Sequence, residues 1–120
     1  MYSESIKIEK PGSIEENGVL SLHGPLTGEN VGQFQNAIRR EEKSQNVIVD
    51  LSQVPYIDSS GLGSLVSAYV SRQKAGRNVV LAGVNQRIYK LFEVTRTDSL
   101  FLMFPTVDDA LAALTSPAQA

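Results

Sequence analysis

Cysteine and tryptophan are absent from the 120 residues, and histidine occurs once, at His23. Without cysteine there are no disulfides, thiolate metal sites or cysteine nucleophiles; the composition fits a reducing compartment, and a cytoplasmic location is expected. A lone histidine near a strand end reads as solvated or hydrogen-bonded, not as a metal ligand. Asp50, Asp58 and Asp98 stand too far apart in sequence to argue for a metal site. An excess of one charge is missing as well. The 11 basic and 13 acidic side chains leave a formal charge of -2 with no block of one sign, so the footprint of a nucleic-acid binder is lacking. The run Arg39-Arg40-Glu41-Glu42-Lys43 mixes both signs and reads as a solvated helix face. Long hydrophobic runs are also missing. The longest match a buried strand, far short of the roughly 20 residues that span a bilayer, so no membrane insertion is expected. Met1-Tyr2-Ser3-Glu4-Ser5 has neither a basic start nor an apolar stretch, and no secretory signal is visible. A Gly-rich phosphate loop with a lysine is absent, so the chain calls for no cofactor. With four phenylalanines and no tryptophan there is no outstanding aromatic patch, and a monomer or weak homodimer is expected.

What is present suffices for one core: 42% of the residues are hydrophobic, and the length suits one domain over 1–120, with a core from about 5 to 115 and a frayed tail at 116–120. Ile6 and Ile8, then Leu20 and Leu22, alternate with polar neighbours and predict an antiparallel pair of strands punctuated by Pro11-Gly12 and Asn17-Gly18. Val31, Phe34 and Ile38 predict an amphipathic helix ending near Ser44. Val47-Ile48-Val49-Asp50-Leu51 reads as a central strand. A second helix begins at the serines of Asp58-Ser59-Ser60-Gly61, carries Leu62, Leu65, Val66, Tyr69 and Val70, and stops at Lys74-Ala75-Gly76. Tyr69 falls on its apolar stripe and reads as core. Val79 to Ala82 is a strand; Ile88, Leu91 and Phe92 mark a short helix with core packing as its main use; Leu100 to Phe104 is a last strand and Val107 to Leu114 a closing helix. The alternation predicts an α/β fold, a mixed and mostly parallel sheet of about five strands with four helices. If each crossover advances one way, the helices share one face and the other face is thinly covered.

Ligand and partner sites of such sheets cluster beyond the carboxyl ends of the strands. Asp58-Ser59-Ser60-Gly61 occupies that place. Asp58 or Ser59 suits the helix cap, and Gly61 and Gly63 keep the first turn bare. Here the residues resemble a family. Val47 to Leu51 followed by Ile57-Asp58-Ser59-Ser60-Gly61-Leu62-Gly63, then Ala75 to Val84, Arg87 to Val94 and Ala110-Leu111, are similar in type and spacing to the STAS domains of anti-sigma factor antagonists, also called anti-anti-sigma factors. The resemblance implies a partner-switching regulator of transcription and not an enzyme. It implies that Ser59, or less favourably Ser60, is phosphorylated by an anti-sigma factor that is a serine kinase of the GHKL type, and dephosphorylated by a PP2C-type phosphatase. The unphosphorylated form binds the kinase and the phosphorylated form lets go. Asp58, Ser60, Gly61, Leu62 and Gly63 are the implied partner-binding loop. The family's Gly-x-Leu-Asp pattern reads Gly24-Pro25-Leu26-Thr27, so Thr27 stands in the aspartate's place in a loop expected beside the serines; Thr27 or Asn30 is positioned to cap the first helix.

Other classes fit less well. A serine hydrolase would need a Gly-x-Ser-x-Gly elbow and a base other than His23. A receiver domain would need an acidic pair after its first strand. Within the STAS superfamily the alternative is a scaffold, a ligand-sensing module or an accessory subunit of a lipid transporter, which the fold alone does not separate.

Overall fold

The apolar run at Val47 to Leu51 takes the position its composition requires. In the computed structural model, which describes residues 6–9, 13–14 and 17–115, it forms β4 (Asn46–Gln53) in the middle of the sheet. Val47, Ile48, Val49 and Leu51 are all fully buried, which places apolar side chains against both faces. β3 (Asn17–His23), β4, β5 (Asn78–Ala82) and β6 (Met103–Phe104) run parallel in that order. β1 (Lys7–Glu9) and β2 (Ser13–Ile14) pair antiparallel with the outer side of β3, so the expected antiparallel start and the mixed sheet are both present. The helices are α1 (Val31–Arg40), α2 (Ser59–Lys74), α3 (Gln86–Thr95) and α4 (Val107–Thr115), and none among the described residues is long and apolar enough to cross a membrane.

The helices do not share one face. Those in the crossovers, α1, α2 and α3, bury Phe34, Leu65, Ile88 and Phe92 against Leu22, Val49 and Leu81. α4 covers the opposite face, where Ala110 meets Val19, Ile48, Val80 and Ala82. The crossover rule constrains only helices that join two parallel strands, and α4 follows the last one. It is free to take the face where Ile48 and Val80 would otherwise meet water. Each such fully buried aliphatic side chain contributes about 1.5–3 kcal/mol.

Several boundaries differ from the sequence-based expectation. Asn17-Gly18 is no turn but the start of β3. Asn17, Asn46 and Asn78 are in register on three neighbouring strands, and their amides form a ladder, Asn46 Nδ2 donating to Asn17 Oδ1 at 2.8 Å and Asn78 Nδ2 to Asn46 Oδ1 at 2.9 Å. Gly18 leaves room for Glu41, whose carboxylate would lie 2.3 Å from an added Cβ. α1 stops at Arg40, short of Ser44, because the chain tightens into short turns that carry Glu41 inward. Glu41 is therefore buried (3% exposed), which corrects the reading of residues 39–43 as a wholly solvated face; the other four are exposed. At the last strand only Met103 and Phe104 pair. Asp98–Leu100 is a 3₁₀ turn, Phe101 enters the core against Tyr69 and Phe92, and Leu102 faces solvent. At the edge of the sheet, with β5 as its only pairing neighbour, the run is extended only where it meets that strand. α2 ends as expected, with Gly76 at φ 73° and the paired bonds from Arg77 N–H to Arg72 C=O and Gly76 N–H to Gln73 C=O. The turn at Pro11-Gly12 and the tail at 116–120 lie outside the described residues.

Candidate functional site at the amino end of helix α2

Beyond the carboxyl ends of β3 and β4 the two chains stay paired for a few residues. Leu26 bridges Ile57, Leu26 N–H donates to Tyr56 C=O at 3.2 Å, and Asp58 N–H donates to Leu26 C=O at 3.2 Å. The loop holding Thr27 and the loop holding the serines are thus one layer, as the sequence led one to expect. α2 then begins at Ser59 with Asp58 as its N-cap in extended conformation. One carboxylate oxygen of Asp58 accepts from Gly61 N–H at 2.8 Å and the other from Gly28 N–H at 3.1 Å. A single aspartate therefore caps the helix and latches the neighbouring loop. The first helical bond runs from Leu62 N–H to Asp58 C=O at 2.9 Å. Between these bonds the amides of Ser59 and Ser60 sit at the positive end of the helix, and both side chains are exposed.

The remaining expected loop residues divide by environment. Leu62 points into the core. Gly63 is exposed, with nothing within 4 Å of an added Cβ. Gly61 is buried, and its Cβ would lie 2.2 Å from Leu26 C=O; its lack of a side chain is what permits the two loops to touch. Gly28 packs against Ser60, whose Oγ would be 3.3 Å from a Cβ at Gly28. Thr27 is turned inward (5% exposed) and its Oγ1 accepts from Glu29 N–H at 3.3 Å, while Asn30 Oδ1 accepts from Thr27 N–H at 2.9 Å. Asn30 stands at the N-cap position of α1 without a side-chain bond to the helix, and donates instead to Pro25 C=O at 2.8 Å. Neither Thr27 nor Asn30 caps α1 through its side chain. Both brace the loop that Asp58 holds.

A third segment joins this end of the sheet. Asn85 caps α3 by accepting from Ile88 N–H at 2.8 Å, and its Nδ2 donates to Val54 C=O at 3.1 Å and Pro55 C=O at 3.3 Å. The Arg87 guanidinium lies over the Tyr56 ring, 4.9 Å from its centroid. Sequence reasoning passed over Asn85, Arg87 and Tyr56, although an asparagine directly before an apolar-periodic helix is a cap signal. His23 is elsewhere, on β3, with Nε2 2.9 Å from Glu9 Oε1, hydrogen-bonded as its position suggested. Lys7 chiefly, and His23 with it, hold the exposed Glu9 carboxyl below the usual carboxylate range.

The profile of the STAS domain matches residues 5–110. An anti-sigma-B factor antagonist of Listeria monocytogenes is 43% identical over 47 residues, 39% of this chain and 41% of that protein, so the likeness spans about two fifths of the curated relative. Among solved structures, the anti-sigma factor antagonist SpoIIAA in its unphosphorylated form matches with a TM-score of 0.75 at 18% identity over 92% of this chain and 96% of the other. SpoIIAA of Bacillus in the phosphorylated form gives 0.70 at 18% identity, over 92% and 99%. A sulfate transporter family protein of Wolinella succinogenes gives 0.78 at 21% identity, over 90% and 93%. At these identities the structural likenesses speak for the fold alone.

Proposed function

Because the chain belongs to the STAS domain family, we propose that it is an anti-sigma factor antagonist whose partner binding is switched by phosphorylation of Ser59. Its unphosphorylated form binds an anti-sigma serine kinase of the GHKL type, freeing a sigma factor. Phosphorylation releases the kinase, and a PP2C-type phosphatase resets the cycle in the cytoplasm. The chain is the substrate and the binding surface, not the catalyst. The observation that carries this reading is the exposed Ser59 hydroxyl at the first position of a helix capped by its neighbour, Asp58.

Two physical arguments support it. The cap and the latch both use Asp58, so a phosphate on Ser59 removes no bond that holds the loop. A phosphoserine adds roughly -1.5 to -2 charges at a helix N-terminus, where the dipole and free amides offset the repulsion from Asp58. The fold therefore persists in both states. In a complex the same dianion must be desolvated against the partner, and a loss of about 2.8 kcal/mol already weakens binding about a hundredfold.

Affinity for the kinase tests the reading. Ser59→Ala should bind as tightly as the unmodified chain and in the presence of ATP stay bound, while Ser59→Asp should bind about tenfold to a hundredfold more weakly. Equal affinities for the two variants reject the switch.

A further inference from the structure

α3 and β6 enclose an open groove of about 820 Å³ whose lining includes Val84, Arg87, Tyr89, Lys90, Met103 and Phe104. Three independent properties of this groove point to one kind of occupant. The first is charge. Arg87 and Lys90 stand on its rim against the single carboxylate of Glu93, and the N-terminus of α3 adds its positive end to the same side. The Arg87 guanidinium carbon lies 4.9 Å from the centroid of the Tyr56 ring, which holds the positive charge at this side of the groove. The second is an apolar floor. Met103 is half-buried on the face that α3 covers, and Tyr89 is 39% exposed; the Phe104 side chain turns to the other face, toward α4.

The third is an open sheet edge. β6 is the last strand of the sheet and pairs only with β5. Leu81 N–H donates to Leu102 C=O and Gly83 N–H to Phe104 C=O, both at 3.0 Å, so residues 102 and 104 direct their main-chain groups toward β5. By strand alternation Met103 directs its N–H and C=O away from the sheet. Pro105, with no N–H, follows at once and confines the free edge to the main-chain N–H and C=O of Met103.

We propose that the groove between α3 and β6 receives an extended, acidic segment of a partner protein. The segment pairs with the main chain of Met103, seats an apolar side chain on Met103 and Tyr89, and turns carboxylates toward Arg87 and Lys90. This is strand addition beside a helix, in which main-chain bonds supply affinity and the flanking side chains select the sequence. The surface is separate from Ser59 and gives the partner a second, phosphate-independent hold. Tyr56, two residues before Asp58, links the two through its stack with Arg87.

Fluorescence polarisation with a fluorescein-labelled peptide of alternating glutamate and valine or phenylalanine tests this without a kinase and without phosphate, so its result is independent of the Ser59 reading. The acidic peptide should bind at least about tenfold more tightly than its lysine counterpart, and an analogue N-methylated at alternate amides should lose that binding. Arg87→Glu/Lys90→Glu should reverse the preference. Lys90→Glu alone, which leaves the Tyr56 stack intact, should weaken the acidic peptide in the same direction, with unchanged far-UV circular dichroism. Equal binding of the two peptides, undiminished binding of the N-methylated analogue, or indifference to Lys90→Glu overturns the proposal.

Discussion

A methyl group on residue 61 would sit 2.2 Å from the carbonyl oxygen of Leu26, a main-chain atom that cannot step aside. Gly61→Ala should therefore destabilise the chain by about 1–3 kcal/mol through overpacking, by forcing apart the two loops that form the site. Two residues further on, Gly63 has open space around it, and Gly63→Ala should stabilise by about 0.5–1 kcal/mol through helix propensity. Urea denaturation midpoints of the two variants check the pair, which must move in opposite directions. Asp58 makes a different kind of contribution. Asp58→Asn can retain one acceptor oxygen for Gly61 N–H or for Gly28 N–H but not both in the present geometry, while Asp58→Ala loses both bonds. The alanine variant should cost about 1–2 kcal/mol, and amide hydrogen exchange should quicken at Gly28 as well as at Gly61. Exchange confined to Gly61 would show that the latch contributes nothing. The sequence marks Asp58 as a cap candidate because short acidic residues before apolar-periodic runs serve that role. It does not mark the bond to Gly28, which depends on a contact 30 residues away.

At the scale of elements, the strands and helices legible beforehand are those whose apolar residues repeat with the right period, and their ends fail where polar residues are buried. Asn17, Gly18 and Glu41 carry turn or surface signals, yet the fold uses them inside, in the asparagine ladder and beneath the end of α1. Arg72 is the clearest case. It lies in the last turn of α2, a place where a basic residue complements the helix dipole at the surface, but it is 4% exposed. Its guanidinium donates to Asn78 C=O at 2.9 Å, Glu41 C=O at 3.1 Å and Ser44 C=O at 2.5 Å, tying α2 to the turn after α1 and to the start of β5. Burial pushes its pKa down, Arg77 adds to that and Glu41 opposes it, yet the group stays charged at any ordinary pH. Arg72→Leu should cost about 2–4 kcal/mol because three carbonyls lose a charged donor, and Arg72→Lys should recover only part of that because one ammonium cannot reach all three. A thermal midpoint for the lysine variant equal to that of the parent would contradict this assignment.

At the scale of the molecule, the carboxyl ends of β3, β4 and β5 gather three loops into one surface. Asp58 joins the first two, Asn85 and Arg87 join the third, and the exposed serines sit on top. The position of that surface was legible, since the serine run follows a central strand and opens a helix. The composition of the rest was not, because Thr27 turns inward and the third loop enters through partners remote in sequence. The opposite end of the sheet is tied by the asparagine ladder and by Arg72, so a charge added at Ser59 removes none of those bonds. Phosphorylation should therefore leave the far-UV circular dichroism unchanged. The most direct measurement is incubation of the chain with ATP and an anti-sigma serine kinase from the same cells, followed by site-resolved mass spectrometry. One phosphate on Ser59, absent from Ser59→Ala, is the predicted result; an unmodified chain, or phosphate placed elsewhere with Ser59 untouched, would contradict the account.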